Sequence, residues 1–418
     1  EIMDTEDLLP EGCRVRFLRP PGGFLSDPVV EVARARGLPI LKWSVDPRDW
    51  ATGDTAAIET AVLDRIKDGD IVLLHDMSDS SVDAALAIVD RLLEQDFDPL
   101  FNRAFHAAYP PGSAYKMCTL IAAMENGQLE VGETIADGGI YLEYKEDFFT
   151  PTCLIYSNYG YVHQGLTELG PGLTPQEALE VSCNYFFYEL GNRMFYAKGS
   201  PMDDTAKALG LGEPTGIELV EKIGHRSNKA TKEKLYSGIY ARYTAASMVL
   251  GAIGQDENSF SPMQMAVYAS TLATQGKRYA ATFLNRVVSA DYRSLILENE
   301  PELVSTLDIS DSTYKAYLEG MIAVCHGNRG TARETMKGLP VTVAGKTGTA
   351  QHGLGKDKSD HGAFVCYAPF DEPEIAVVVY GEKAGHGTTM GQIAKEILDT
   401  YFENPEVGDV NSGENTIS

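Results

Sequence analysis

No run of apolar residues in this 418-residue chain approaches the roughly 20 that a membrane-spanning helix needs; IVLL at 71–74 and AVVV at 376–379 are typical of the longest. Basic residues are scarce as well. Lys and Arg number 35 against 60 Asp and Glu, for a formal net charge of −25 and an isoelectric point near 4.7. With no basic surplus to neutralise phosphates, nucleic acid is excluded as a partner, and the acidity itself reflects a solvated surface. Cysteine is limited to Cys13, Cys118, Cys153, Cys183, Cys325 and Cys366, without C-x-x-C or zinc-type spacing. These six are expected to be buried small hydrophobes, with a disulfide pair as the alternative, and no metal or cofactor is expected. Residues 1–11 carry no targeting pattern and the first residue is Glu1 rather than Met, which reads as a piece of a longer chain.

What is present is a 44% apolar content in a length that supports two domains or more. The first part alternates short β and α patterns: a helix over 29–36 closed by Gly37, a strand over 38–45, a helix over 55–67 capped by Asp54, a buried strand over 70–75 and a helix over 81–94. That spacing predicts part of a β/α barrel or a parallel sheet. Near residue 95 the character changes. Longer helices follow, then apolar strands over 363–367 and 374–382 joined by a turn on Pro369, Asp371 and Pro373, a helix over 390–402, and a polar acidic tail over 406–418. The expected domains are therefore 1–94 and 95–405, plus the tail.

Three short motifs carry chemistry. YPPGSAYKM at 109–117 places Ser113 at a helix start with Lys116 three residues on, over the same face. A serine hydroxyl becomes a nucleophile when a neighbouring base takes its proton, and a lysine serves as that base once burial lowers its pKa. S-x-x-K alone arises by chance about once or twice in a chain of this length, so a capping serine beside a solvated lysine is the ordinary alternative. The second motif follows a capping box, Thr174-Pro175-Gln176-Glu177, that opens a helix ending at Val181; directly after it come Ser182, Cys183 and Asn184. The third, VTVAGKTGTAQ at 341–351, alternates as a strand and carries Lys346, Thr347, Gly348 and Thr349. Its glycine permits close approach of a ligand backbone, and its lysine and hydroxyls suit a carboxylate.

In this order the three resemble the active-site set of the penicillin-recognising serine transferases. PLFNRAF at 99–105, AIGQ and SPMQMA within 252–266, and AGKTGTAQ at 344–351 narrow the resemblance to the transpeptidase domain of class B penicillin-binding proteins, of the elongation-associated type, over about 93–402. The resemblance implies an antiparallel sheet flanked by helices. It implies that Ser113 attacks the penultimate D-Ala carbonyl of a stem peptide with Lys116 as base, that Ser182 and Asn184 relay protons and hold the substrate amide, and that Lys346, Thr347, Gly348 and Thr349 bind the terminal carboxylate. Backbone N–H groups of Ser113 and Thr349 would form the oxyanion hole. Implied partners are peptidoglycan stem peptides ending in D-Ala-D-Ala, β-lactam antibiotics and the cell-elongation machinery, at the extracytoplasmic face of the bacterial membrane. A β-lactamase or a β-lactam sensor of the same fold is the alternative, distinguished by the lifetime of the acylated state.

RFLRPPGG at 16–23, DPRDW at 46–50 and IVLLHD at 71–76 resemble, in order, the last three motifs of the polysaccharide deacetylases. By that resemblance Arg19 would orient a catalytic base, Trp50 and Leu73 would line an acetate pocket and His75 would protonate the leaving amine, with Asp49 in the same set. The family's metal ligands belong upstream of these motifs, and His75 is the one histidine before residue 95. A catalytic metal site needs about three protein ligands, so this segment is expected to be an inert remnant. Two incomplete domains would then meet near residue 95, through a join of unrelated reading frames or a natural fusion.

Overall fold

The computed structural model describes residues 18–36, 38, 40–67, 70–94, 101–163, 171–284, 286–288, 295–350 and 360–403. The expected boundary at 95, part of the RFLRPPGG and PLFNRAF motifs, Cys13, Gly37, Gln351 and the acidic tail lie outside the described residues. The chain divides into two compact units, Glu1–Asn102 with Phe283–Glu300, and Arg103–Thr282 with Pro301–Ser418.

In the first unit, helices α1 (Asp27–Ala35), α2 (Thr55–Leu63) and α3 (Asp79–Glu94) form where the apolar period predicts them. Asp54 caps α2 by accepting from the N–H groups of Ala56 and Ala57. The facing sides of α2 and α3 give a small core of Val45, Ile58, Val62, Ala84, Ile88 and Leu92. The strands expected over 38–45 and 70–75 are not formed as such. Among the described residues only isolated parallel bridges occur there, Leu18 to Ile40 and Val45 to Val72, too few and too separate to make a ladder. The parallel sense fits β/α alternation, but among the described residues of this unit no barrel or parallel sheet is built. Residues Arg286–Val288 and Leu295–Glu298 add a short antiparallel hairpin to this unit.

The second unit is organised around α4 (Lys116–Glu125), whose Met117, Cys118, Leu120, Ile121, Ala122 and Ala123 are buried on every side. A helix apolar all round can only be central, and it packs against α5 (Asn184–Phe195), α6 (Pro201–Ala208) and α8 (Asp311–His326). Helix α7 (Pro262–Ala273) opens with a capping box on Ser261 and Gln264. The sheet is antiparallel, in the order β5 (Ala344–Ala350), β6 (His361–Ala368), β7 (Ile375–Gly381). Two small ladders precede it in the chain, β1 (Lys277–Tyr279) paired to β4 (Leu303–Thr306) and the first unit's β2 (Arg286–Val288) paired to β3 (Leu295–Glu298).

Strand β6 is buried along its whole length because both faces are covered. Phe364, Cys366 and Ala368 join Met390, Ala394 and Leu398 of α9 (Gly387–Glu403). Val365 and Tyr367 point the other way, into the core shared by Tyr268 and Leu272 of α7. The register sets Lys346 opposite Val365 and Thr347 opposite Phe364.

Candidate active site

Ser113 sits in a 3-10 turn, Gly112–Tyr115, that runs straight into α4 at Lys116. Two glycines let this turn lie against β5. Gly112 has φ +52 and a Cβ on it would collide with the Thr349 carbonyl, while a Cβ on Gly348 would come within 2.8 Å of the Pro111 carbonyl. Side chains at either position would push the serine turn off the strand. The helix Pro175–Glu180, with the predicted capping box on Thr174 and Glu177, ends just before Ser182, and Asn184 starts α5. Ser182 itself is held at φ +55, an uncommon conformation for a residue with a side chain.

The three motifs converge. Lys116 is wholly buried, and its ammonium donates to the Ser182 carbonyl at 2.9 Å, the Ser182 hydroxyl at 3.2 Å and Asn184 Oδ1 at 2.7 Å. Lys346, equally buried, donates to the same Ser182 hydroxyl at 2.9 Å and to the Thr347 carbonyl at 3.1 Å. All of these partners are neutral. Burial therefore decides the protonation of Lys116 and brings it down to about 8. Lys346 is held well below its ordinary value by burial first and by the charge of Lys116 second. At pH 7 a lysine titrating near 8 is neutral in roughly a tenth of molecules, enough for it to accept a proton. Ser113, Ser182, Asn184 and Thr349 are partly exposed beside these buried cations.

A family model described as the penicillin binding protein transpeptidase domain matches residues 61–401. The chain belongs to that family. The match to the transpeptidase domain begins within α2, ahead of the change of character near residue 95. Peptidoglycan D,D-transpeptidase MrdA of Haemophilus influenzae is 26% identical over 375 residues, 82% of this chain and 54% of that protein. Penicillin-binding protein 2B of Streptococcus pneumoniae is 28% identical over 318 residues, 70% of this chain and 43% of that protein. The chain thus spans about half the length of the curated relatives it matches. Among solved structures, the penicillin-binding protein PBP2 from Helicobacter pylori superposes with a TM-score of 0.61 at 24% identity, covering 75% of this chain and 53% of that one. That likeness concerns the fold.

The transpeptidase domain holds a second cluster that sequence reasoning missed. Asp137, Cys153, His163 and Cys183 are all buried, and their donor atoms lie within 4.8 Å of one another. His163 Nδ1 is 2.6 Å from Asp137 Oδ2 and 3.7 Å from the Cys153 sulfur, which is 4.0 Å from that of Cys183. Burial opposes charge on His163, but bonding to Asp137 and Cys153 raises it to about 9. Two sulfurs, an imidazole and a carboxylate make a donor set suited to a tetrahedral ion such as zinc. Cys153 and Cys183 are free and buried in the core as expected, and Cys153 in addition faces His163. Their spacing matches no compact motif; the signal was a cysteine inside the Ser182–Asn184 motif with a second one 30 residues away.

In the first unit, His75 Nδ1 is 2.8 Å from Asp49 Oδ1, and the His75 N–H donates to Asp49 Oδ2 at 2.7 Å. Asp49 is buried. Burial opposes its charge, yet the His75 bonds hold its carboxyl below the usual range. Leu73 is buried, Arg19 is exposed, and Trp50 is 67% exposed, so Trp50 does not share an enclosed pocket with Leu73.

Proposed function

We propose that this chain is a peptidoglycan D,D-transpeptidase working through an acyl-serine intermediate. The observation that carries the reading is the Ser182 hydroxyl, which receives hydrogen bonds from two buried lysines brought from opposite ends of the domain. Lys116 takes the Ser113 proton as the hydroxyl attacks the penultimate D-Ala carbonyl of a stem peptide. Ser182, poised between the lysines, passes a proton to the departing D-Ala amine, and Asn184 holds the substrate amide. The N–H groups of Ser113 and Thr349 stabilise the oxyanion, supported by the close seat of the serine turn on β5. Thr347 and Thr349 bind the substrate carboxylate at Gly348. Lys346, buried behind them, contributes its field and its bond to Ser182. An amine of a second stem then resolves the acyl-enzyme and forms the cross-link.

A β-lactam mimics the D-Ala-D-Ala terminus, so penicillin should acylate Ser113 and remain bound for minutes or longer. Mass spectrometry after incubation tests this. A folded sample with no adduct, or with the adduct on another residue, overturns the reading, and turnover within seconds would favour a β-lactamase. The names of the relatives support the transpeptidase. The Helicobacter pylori PBP2 has also been solved in complex with MreC, which supports a partner from the cell-elongation machinery; a site at the extracytoplasmic membrane face rests on the family resemblance. Among the described residues no helix is long and apolar enough to cross a membrane.

Asp137, Cys153, His163 and Cys183 would hold one divalent ion such as zinc. Four protein ligands close the shell, so its contribution would be structural, tying the segments that carry Asp137, Cys153 and His163 to the Ser182–Asn184 motif. For the first unit, the paired His75 and Asp49 support a polysaccharide deacetylase remnant over 1–94, joined to a transpeptidase domain over 95–405. Turnover would also need a base and a metal, neither of which is proposed for the remnant.

A further inference from the structure

The turn at 327–331, between α8 and Ala332, is pinned at several points without belonging to any of the three motifs. Glu180, the last residue of its helix and two before Ser182, is buried, and it accepts from the Arg329 N–H at 3.0 Å and from the Arg329 guanidinium at 3.3 Å. Gly327 and Gly330 leave no room for a Cβ, the first against the Glu180 carboxylate and the second against the carbonyls of Ala323 and Val324. Ala332 is buried and its N–H donates to the Val324 carbonyl at 2.9 Å. What this turn presents is Thr331, whose hydroxyl lies 2.8 Å from that of Thr347.

A hydroxyl has one proton. For Thr347 to donate to a substrate carboxylate, the bond between the two threonines must run from Thr331 to Thr347. Thr349 is arranged alike, its oxygen accepting a longer contact of 3.5 Å from the Gly387 N–H. We infer that Thr331 is a positioning residue: it donates to Thr347 so that the Thr347 proton is left for the substrate carboxylate, and Glu180 anchors the turn that holds it there. The inference rests on the reading of Thr347 as a carboxylate ligand.

The test measures the rate of Ser113 acylation by benzylpenicillin and by its methyl ester, in which the carboxylate is blocked. Thr331→Val should slow the acid roughly tenfold, the size of a lost hydrogen bond to a charged group, and leave the ester unchanged. Thr331→Ser should restore the acid rate. Thr331→Val combined with Thr347→Val should be no slower than Thr347→Val alone, because one residue acts through the other. Glu180→Gln, which keeps an acceptor for the Arg329 N–H, should give a smaller loss with the same acid selectivity, and it carries the test if Thr331→Val does not fold. Equal losses with acid and ester, or additive losses in the double variant, overturn the inference while leaving the site reading intact. A parent protein that takes no penicillin on Ser113 overturns both.

Discussion

Asp49 in the first unit and Lys116 in the second are both buried ionisable groups with lowered pKa values, yet the shifts mean opposite things. Asp49 meets donors from His75, so its surroundings favour the charged form. Lys116 is wholly buried and meets a neutral carbonyl, hydroxyl and amide, so its surroundings disfavour charge. A lowered carboxylate is a charge held in place, whereas a lowered lysine is a base made ready. The supports differ as well. The lysines stand in a core with large aromatics such as Tyr115, Phe186, Phe187 and Tyr268, while the first unit has a core of small and aliphatic residues.

The comparison predicts its largest effect at the lysine. Lys116→Ala should slow penicillin acylation by about 10²–10⁴-fold, the usual worth of a positioned base, and Lys116→Arg should do no better because a guanidinium stays charged. The neutral form grows as pH rises through the pKa, so the parent rate should climb about tenfold per pH unit below the value near 8 and level off above it. A flat profile between pH 5 and 8 would break the contrast with Asp49.

Core truncation comes next. Ile58→Ala in the first unit and Leu120→Ala in the second should each cost about 2–5 kcal/mol, since both side chains are fully buried. Calorimetry should show each shifting its own transition, with penicillin labelling lost earlier on heating only for Leu120→Ala. One transition moved equally by both would merge the units. Metal binding should follow the second unit alone: one equivalent of zinc by elemental analysis, with affinity weakened in Cys153→Ser by at least the roughly 10–100-fold that loss of an outer partner costs. Zinc retained in that variant but lost in His75→Ala would move the site to the first unit. The smallest effects are at the caps, where Asp54→Ala and Thr174→Ala should each destabilise by about 1 kcal/mol in denaturant titrations.

The proposed catalytic groups were legible because each motif is short and sits where local pattern forces one conformation. The prolines and glycine before Ser113 dictate a turn, the capping box on Thr174 dictates a helix start, and alternation through residues 341–351 dictates a strand. Local pattern failed where structure depends on distant partners. The apolar runs at 38–45 and 70–75 have the composition of strands, but a strand needs a continuous neighbour, and they found only isolated bridges. Asp137, Cys153, His163 and Cys183 come from separate segments with no shared period. Thr331 acts through a hydroxyl 16 residues away, a relation that no window of sequence expresses.

The Ser182 hydroxyl receives Lys116 across 66 residues of sequence and Lys346 across 164. Contacts of such long range close late, since loop entropy must be spent before they form. The nucleophile turn and α4 can be shaped locally, but the paired lysines exist only after β5 has docked. A chain still emerging from the ribosome, with β5 unsynthesised, would carry Ser113 and Lys116 and remain unreactive. Under the proposed mechanism, penicillin labelling should therefore time the completion of folding, because a shorter chain lacks the Lys346 bond to Ser182.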